Sequence, residues 1–447
     1  MRVFVSGLGM ITPLGIDTNA SWTKIKNGET NIAAIPEHWN NYIHFNSKYR
    51  TVLPKFNFLD HGFKRNELIQ KAPCSLTAIM TTNEALTGAG FELELTNKKT
   101  NQYEIMNIDP LRASVNFGTG WSGGSSILDN SNHQVLNHLP QKLKNLNANS
   151  EQIQEIIDSL LFPKRYNPFV VPQLICNSVP SNIAMKYSIK GHVRPTVQAC
   201  SSATTAIGRS THMIRTGEAD LVITGGAELF HDEYGCSMYS FDSAKTLVET
   251  SEGCDVEKLN RPFDKDRAGF LFSEGGSGTL ILESERHLEE RGGTPLAEIL
   301  GHSESFDAYS IMAPDPSGEQ IERMMRDALS DASLLPEDID YINAHGTSTQ
   351  ANDQTEADVL ERVFGKHIAI NSTKSVLRHT IGASGAIEAI VGILSIRDQE
   401  LHPSLNLENP IADLDFVTER RKQKVDHVLS HSFAFGGHNS GIILGKV

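Results

Sequence analysis

Three residues in this chain have chemistry to offer: Cys200, His345 and His379. Cys200 lies in Val197-Gln198-Ala199-Cys200-Ser201-Ser202-Ala203-Thr204-Thr205-Ala206-Ile207-Gly208, where the β-prone stretch Arg194 to Val197 runs into a helix start of small residues. A thiol at such a junction meets unpaired backbone N–H groups and the positive end of a helix dipole, which favour thiolate. His345 sits in Asn343-Ala344-His345-Gly346-Thr347-Ser348-Thr349, and His379 closes Lys374-Ser375-Val376-Leu377-Arg378-His379. One sulfur nucleophile and two nitrogen donors suit chemistry that holds an acyl group as a thioester and generates a carbanion.

The elements that must position these groups alternate in type. Val3 to Gly9, Ala219 to Glu228, Ser277 to Glu283, Ile339 to Asn343 and Ser440 to Leu444 are short apolar runs, several closed by glycine, the pattern of buried strands. Between them, Glu319 to Leu329 and Gln354 to Phe364 have helical spacing. The alternation predicts an α/β fold with buried sheets, and similar strands in both halves point to a duplicated core. The turn-rich Arg261 to Gly269 is expected to mark the crossing, dividing the chain into 1–260 and 261–447. Residues 129–164, rich in Asn, Gln, Leu and Lys, are expected to be an inserted surface excursion, with an amphipathic helix from Ser150 to Leu161. Gly7 and Gly9 lack the third glycine and the clean helix start of a dinucleotide fingerprint.

Composition narrows the function classes. At 447 residues the chain can bury a large core, and a net charge of −14 argues against a nucleic-acid or anionic-membrane binder. The basic group Phe63-Lys64-Arg65 with Lys71 is expected to be a solvated helix face. No apolar run is long enough to span a membrane, and the N-terminus reads as a first strand, not a signal peptide. The five cysteines form no CxxC pair, so neither zinc nor a disulfide framework is expected, and the compartment is expected to be a reducing cytoplasm.

With these motifs in view, the chain resembles the β-ketoacyl-[acyl-carrier-protein] synthases, closest to the type II elongating enzymes. The matching blocks run in order along nearly the whole chain: Ser6 to Gly15, Gly118 to Gly124, Asn167 to Pro172, Val197 to Gly208, Arg261 to Gly278, Asn343 to Glu356, Ser372 to Ile390 and Ser432 to Asn439. The resemblance implies a thiolase-type fold, two similar α/β halves in five layers α-β-α-β-α, usually dimeric. It implies that Cys200 takes an acyl group from the phosphopantetheine thioester of acyl carrier protein. Malonyl carrier protein then loses carbon dioxide and its carbanion attacks that thioester. His345 and His379 match the two family histidines, Lys374 the family lysine, and Glu356 the glutamate expected to pair with it. Backbone N–H groups of Cys200 and Phe435 would form the oxyanion hole, and Phe433-Ala434-Phe435-Gly436-Gly437 matches the loop whose second phenylalanine gates the pocket. No cofactor is required, although Asn343, Glu388, Ser430 and Asn439 match positions that bind a monovalent cation in some relatives.

The chain departs from the family pattern at three places. Arg378 stands where relatives usually carry glycine and would set a cation beside His379; Ala434 replaces a gate glycine and could stiffen the loop; His438 replaces a usual threonine. These differences suggest a specialised fatty acid, polyketide or polyene pathway. Trp121 matches a position at the far end of the acyl pocket, with Phe169 and Val170 matching positions that reach it from the other subunit. An indole there predicts short or bent acyl chains. Thiolase proper is excluded because no cysteine follows Cys254, and a Cys-His-Asn initiating synthase because a second histidine is present. The remaining alternative is a non-catalytic, chain-length-factor-like partner of a synthase heterodimer, against which the intact Cys200 counts.

Overall fold

The computed structural model describes residues 1–41, 43–132 and 166–447. Most of the expected excursion at 129–164, including the helix expected at 150–161, lies outside the described residues.

Ten strands join in one sheet: β1 (Val3–Ile11), β2 (Ala113–Gly118), β3 (Val193–Thr196), β4 (Leu221–Leu229), β5 (Gly275–Ser284), β6 (Ala297–Phe306), β7 (Tyr341–Asn343), β8 (Ala369–Asn371), β9 (His427–Ala434) and β10 (His438–Gly445). Their spatial order is β8-β7-β9-β10-β6-β1-β5-β4-β2-β3. Outward from β1, the pairings with β5 and β4 are antiparallel and those with β2 and β3 parallel. Outward from β6, β10 and β9 pair antiparallel, β7 and β8 parallel. The same pattern therefore occurs twice, and the copies meet through the two-residue register Phe4↔Glu298 and Val5↔Ala297.

Duplication is thus visible in the topology, but the crossing does not fall at residue 260. β5 completes the first half-sheet, so the repeat boundary lies between Ser284 and Ala297. Arg261 to Gly269 is a turn region within the first repeat, docked against the second by Arg267, whose guanidinium donates to the carbonyls of Thr349 and Gln350.

Helices complete five layers. Helices α1 (Pro73–Gly88) and α2 (Ser178–Lys186) cover the outer face of the first half-sheet, and α4 (Glu319–Ala332) with α5 (Gln350–Phe364) that of the second. Between the half-sheets lie α3 (Ser202–Arg215) and α7 (Ser384–Asp398); the short α6 (Lys374–Leu377) precedes α7. Helix α7 is apolar around its circumference, and Ser384 to Ile396 is buried throughout, as a helix with a sheet on each side must be. Its Gly385 gives α3 room: a Cβ there would lie 2.0 Å from Thr204 Oγ1.

Candidate active site

The two central helices begin with the same device. A 3₁₀ turn, Ala199–Ser201, leads into α3, and another, Ile381–Ala383, leads into α7. The first residue of each holds a left-handed backbone, φ 45° at Ala199 and 51° at Ile381. That conformation costs an L-residue roughly 1–2 kcal/mol, and more when β-branched, so both turns are held by their surroundings. The first turn presents Cys200; the second follows His379 and aims its ring at the thiol.

His379 Nε2 lies 3.1 Å from Cys200 Sγ. The other ring nitrogen is committed: Ile381 N–H donates to Nδ1 at 3.2 Å, with Ser384 Oγ 3.1 Å away. A backbone N–H can only donate, so the neutral ring carries its proton on Nε2, facing sulfur. The His345 ring stands edge-on to His379, centroids 5.6 Å apart at 85°. Burial holds both imidazoles well below the usual histidine range, with the Lys374 ammonium acting in the same direction. They are neutral donors. The three side chains, Phe435, Thr347 and Thr349 line one cavity of about 290 Å³.

The thiol itself departs from expectation. Backbone N–H groups of Phe435 and Cys200, together with Lys374, favour thiolate, but complete burial outweighs them and pushes Cys200 up to about 12. The resting nucleophile is a thiol, and the helix start alone does not ionise it.

Lys374 is buried and pairs with Glu388 Oε1 at 2.5 Å, not with Glu356. Glu388 lies in the second turn of α7, where the helix carries it beside the first residue of α6. Glu356 instead accepts the backbone N–H of His345 at 2.7 Å and of Gly346 at 2.8 Å, fixing the loop that carries the first histidine.

The expected cation ligands do not form one cage. Asn343 is occupied with Thr373 Oγ1 and the Glu388 carbonyl, and Glu388 Oε1 with Lys374. Asn439 donates to Asp307 and Ser305, three rungs along the β9/β10 ladder from Ser430, about 10 Å at strand spacing. Ser430 Oγ and Glu388 Oε2 are buried without partners.

Two departures prove less consequential than expected. The Arg378 guanidinium turns back to the Ser375 carbonyl, and burial brings it down to about 10; the shift of His379 arises from burial and Lys374, not from Arg378. Ala434 lies in β9 outside the left-handed region, so its methyl adds no backbone strain. The gate's freedom rests on Gly436 and Gly437, at φ 89° and 82°. Phe433 is buried against His345, centroids 5.5 Å apart.

Trp121, Phe169 and Val170 do not line the cavity. Cys200 packs into an apolar cluster with Phe230, Phe270, Phe272 and Ile381. Trp121 sits behind it, its ring 5.9 Å from Phe230, which is 5.5 Å from Phe272. Sequence reading missed Phe230 and Phe272, which carry no motif. It also missed Glu228, whose carboxylate takes the N–H groups of Gly120 and Trp121 and is pushed up to about 8 by burial. Its place after Gly225-Gly226, at the end of a buried strand, was the available signal.

Comparison with known proteins decides the family. Residues 1–287 match the β-ketoacyl synthase N-terminal domain and residues 296–408 the C-terminal domain. The chain belongs to the β-ketoacyl synthase family. Its two family domains meet in the interval where the sheet topology places the repeat boundary. The synthase is 32% identical, over 100% of its own length and 99% of the relative's, to 3-oxoacyl-[acyl-carrier-protein] synthase 2 of Coxiella burnetii. A solved β-ketoacyl synthase from Burkholderia phymatum superposes with a TM-score of 0.82 at 28% identity, covering 100% and 99% of the two chains. The ishigamide ketosynthase/chain length factor gives 0.79 at 26%, with the same coverage. The fold is therefore that of the thiolase-type ketosynthases, and the protein is a condensing acyltransferase.

Proposed function

We propose that this synthase condenses a short or bent acyl group, held as a thioester on Cys200, with malonyl-acyl carrier protein in a specialised fatty acid, polyketide or polyene pathway. The observation that carries this reading is the Cys200–His379–His345 constellation, with sulfur 3.1 Å from a proton-bearing nitrogen and an aromatic cluster closing the far side. In acylation, Sγ attacks the incoming thioester carbonyl and the departing phosphopantetheine sulfur leaves with the thiol proton. The Cys200 and Phe435 N–H groups, both directed at Sγ, suit the tetrahedral oxyanion. In the second half-reaction the malonyl C–C bond breaks, carbon dioxide leaves and the electron pair becomes an enolate. His379 Nε2–H and the neutral His345 stabilise its oxygen before carbon attacks the Cys200 thioester and expels sulfur. The balance needs no redox partner and no metal ion.

Acyl carrier protein is the partner this chemistry requires. The dimer reading is supported by the edge strand β3, which runs through exposed Val197 into the nucleophile turn, and by the exposed apolar side chains of Val171 and Ile175. The named ketosynthase/chain length factor neighbour supports a second reading, in which this chain is the catalytic member of a heterodimer. The five free cysteines suit a reducing cytoplasm, and among the described residues no helix is long and apolar enough to cross a membrane. Intact-mass measurement of Cys200 acylation by a panel of acyl carrier proteins tests the proposal. Loading of short groups with exclusion of long saturated ones is expected; equal loading of both would refute the chain-length assignment.

A further inference from the structure

Glu228, which no step of the chemistry above uses, sits where three turns meet. It is buried near the end of β4, and three backbone N–H groups point at its carboxyl: Gly120 at 2.5 Å, Trp121 at 3.1 Å, and Gly382. Gly120 and Trp121 belong to the turn at 119–122, and Gly382 to the strained turn Ile381–Ala383 that follows His379. The approach requires glycine on both sides. A Cβ on Gly120 would lie 2.7 Å from Glu228 Oε2; one on Gly382 would lie 2.6 Å from the same oxygen and 2.3 Å from Gly120 N. The third turn joins through Ser202 Oγ, 3.2 Å from the Thr119 carbonyl and 2.7 Å from that of Ala199, which opens the Cys200 turn.

An N–H can only donate, so this junction needs acceptors on both carboxyl oxygens. Trp121 N–H lies 3.2 Å from Oε1 and 3.1 Å from Oε2, and Oε2 also takes Gly120 N–H. In either protonation state a carboxyl keeps lone pairs on both oxygens. An amide of the same shape keeps them on one and sets an NH2 against a backbone N–H. What hangs on the junction is the second histidine. Ile381 N–H occupies Nδ1 of His379 and so fixes the tautomer whose Nε2 proton faces Cys200 Sγ, 3.1 Å away. Ile381 is β-branched and holds a left-handed backbone, so its turn keeps that shape only while its neighbours enforce it.

We propose that Glu228 is a positioning residue: its carboxyl clasps the 119–122 turn to Ile381–Ala383 and thereby keeps the His379 ring in register with Cys200. The inference rests on the role of His379 given above. Glu228 touches neither sulfur nor substrate and acts through Gly382 and Ile381. A buried carboxyl that binds backbone N–H groups supports stability anywhere in a fold, so a matched carboxyl away from the chemistry is the proper control. Glu84 is that control: it lies in α1, on the outer face of the first half-sheet, and accepts Met10 N–H at 3.0 Å and Thr18 N–H at 2.8 Å.

The test compares full-length wild type, Glu228→Gln and Glu84→Gln. Glu228→Gln is expected to lose between about tenfold and a hundredfold in kcat for malonyl-acyl carrier protein decarboxylation, as displacement of a reacting group does, with KM within about twofold of wild type. Glu84→Gln is expected to melt at a lower temperature and to keep the wild-type kcat. Independently of turnover, nitrogen-15 NMR should show His379 of wild type and of Glu84→Gln as a single neutral tautomer protonated on Nε2. Glu228→Gln should add the Nδ1-protonated tautomer. A Glu228→Gln protein with wild-type kcat and the single tautomer overturns the proposal, as does an equal fall in kcat for Glu84→Gln, which would tie the loss to stability alone. A wild type that does not decarboxylate malonyl-acyl carrier protein would count against the condensing reading, and the tautomer comparison would still decide the role of Glu228. If Glu228→Gln does not fold, the same two readouts pass to Thr119→Val, which removes the hydroxyl that holds Ser122 N–H at 2.7 Å and fastens the first turn. Wild-type values of both in that variant overturn the clasp.

Discussion

At the scale of single residues, the division of labour follows from which atoms can donate. His379 Nε2 carries a proton because Ile381 N–H occupies Nδ1, and both imidazoles are held neutral by burial and Lys374. Cys200→Ala should therefore abolish acyl loading, since among the five free cysteines Cys200 is the one that lines the cavity with the two histidines; an acylated Ala variant in an intact-mass spectrum would show the assignment to be wrong. His345→Ala and His379→Ala should each lower malonyl decarboxylation by about 10²–10³, the usual loss on removing one donor to a developing oxyanion. Some transfer to Cys200 should persist in both. Neutrality also has a pH consequence. A histidine whose pKa lies well below 6.5 in the fold stays uncharged as pH falls through 6.5, so decarboxylation should hold between pH 7.5 and about 6. A fall in rate centred near 6.5, removed by His345→Gln or His379→Gln, would contradict the buried-neutral assignment. Helix-start logic anticipated a thiolate at Cys200; the opposing desolvation depends on what the fold packs around sulfur, which no local motif records.

At the scale of elements, the acyl limit belongs to a group of rings and not to one side chain. Trp121, Phe230, Phe272, Phe241 and Phe270 form a continuous series of ring contacts ending at His379, with successive centroids 5.3–5.9 Å apart. Trp121 is its outer member and remains partly exposed. Trp121→Ala alone should leave the accepted chain length unchanged, because Phe230 still stands between it and sulfur. Phe272→Leu, which removes ring volume beside Cys200, should extend loading by several carbons in the acyl carrier panel; extension by Trp121→Ala but not by Phe272→Leu would restore the single-residue explanation. The sequence made Trp121 visible through its glycine-rich block, whereas Phe230 and Phe272 sit on different strands and meet only in three dimensions. The lysine's partner shows the same limit. Glu356 and Glu388 are both buried helical carboxylates, and only the phase and docking of α5 and α7 decide which one reaches Lys374. The catalytic histidines were legible because each lies within a dense local pattern at the start of a loop or helix.

At the scale of the whole molecule, duplication explains why the reacting groups converge. Each repeat ends its parallel strands at the N-terminus of a central helix, and the two helices pack against each other between the half-sheets. The strained turn of one repeat offers the thiol and that of the other receives the histidine, so neither repeat holds a site alone. Alternating strands and helices made the duplicated α/β class readable from sequence; the boundary was not, because β5 lies beyond the turns of 261–269 yet pairs with β4. The outer edge of the first half-sheet is β3, which presents unpaired backbone on one side and leads through exposed Val197 into the Cys200 turn. Val171 and Ile175, in and just after the helical turn Val170–Leu174, are exposed at 62% and 46%, an apolar pair that a partner surface would cover. Protein expressed alone should therefore run, by light scattering, at twice the chain's 49.1 kDa. Val171→Glu with Ile175→Glu should yield a monomer, because two carboxylates oppose burial of this surface against a second subunit. A fully active monomer would separate the site from any subunit contact. A chain that stays monomeric and inactive alone, but gains both mass and activity when co-expressed with a chain-length-factor-like subunit, would assign the covered edge to a heterodimer.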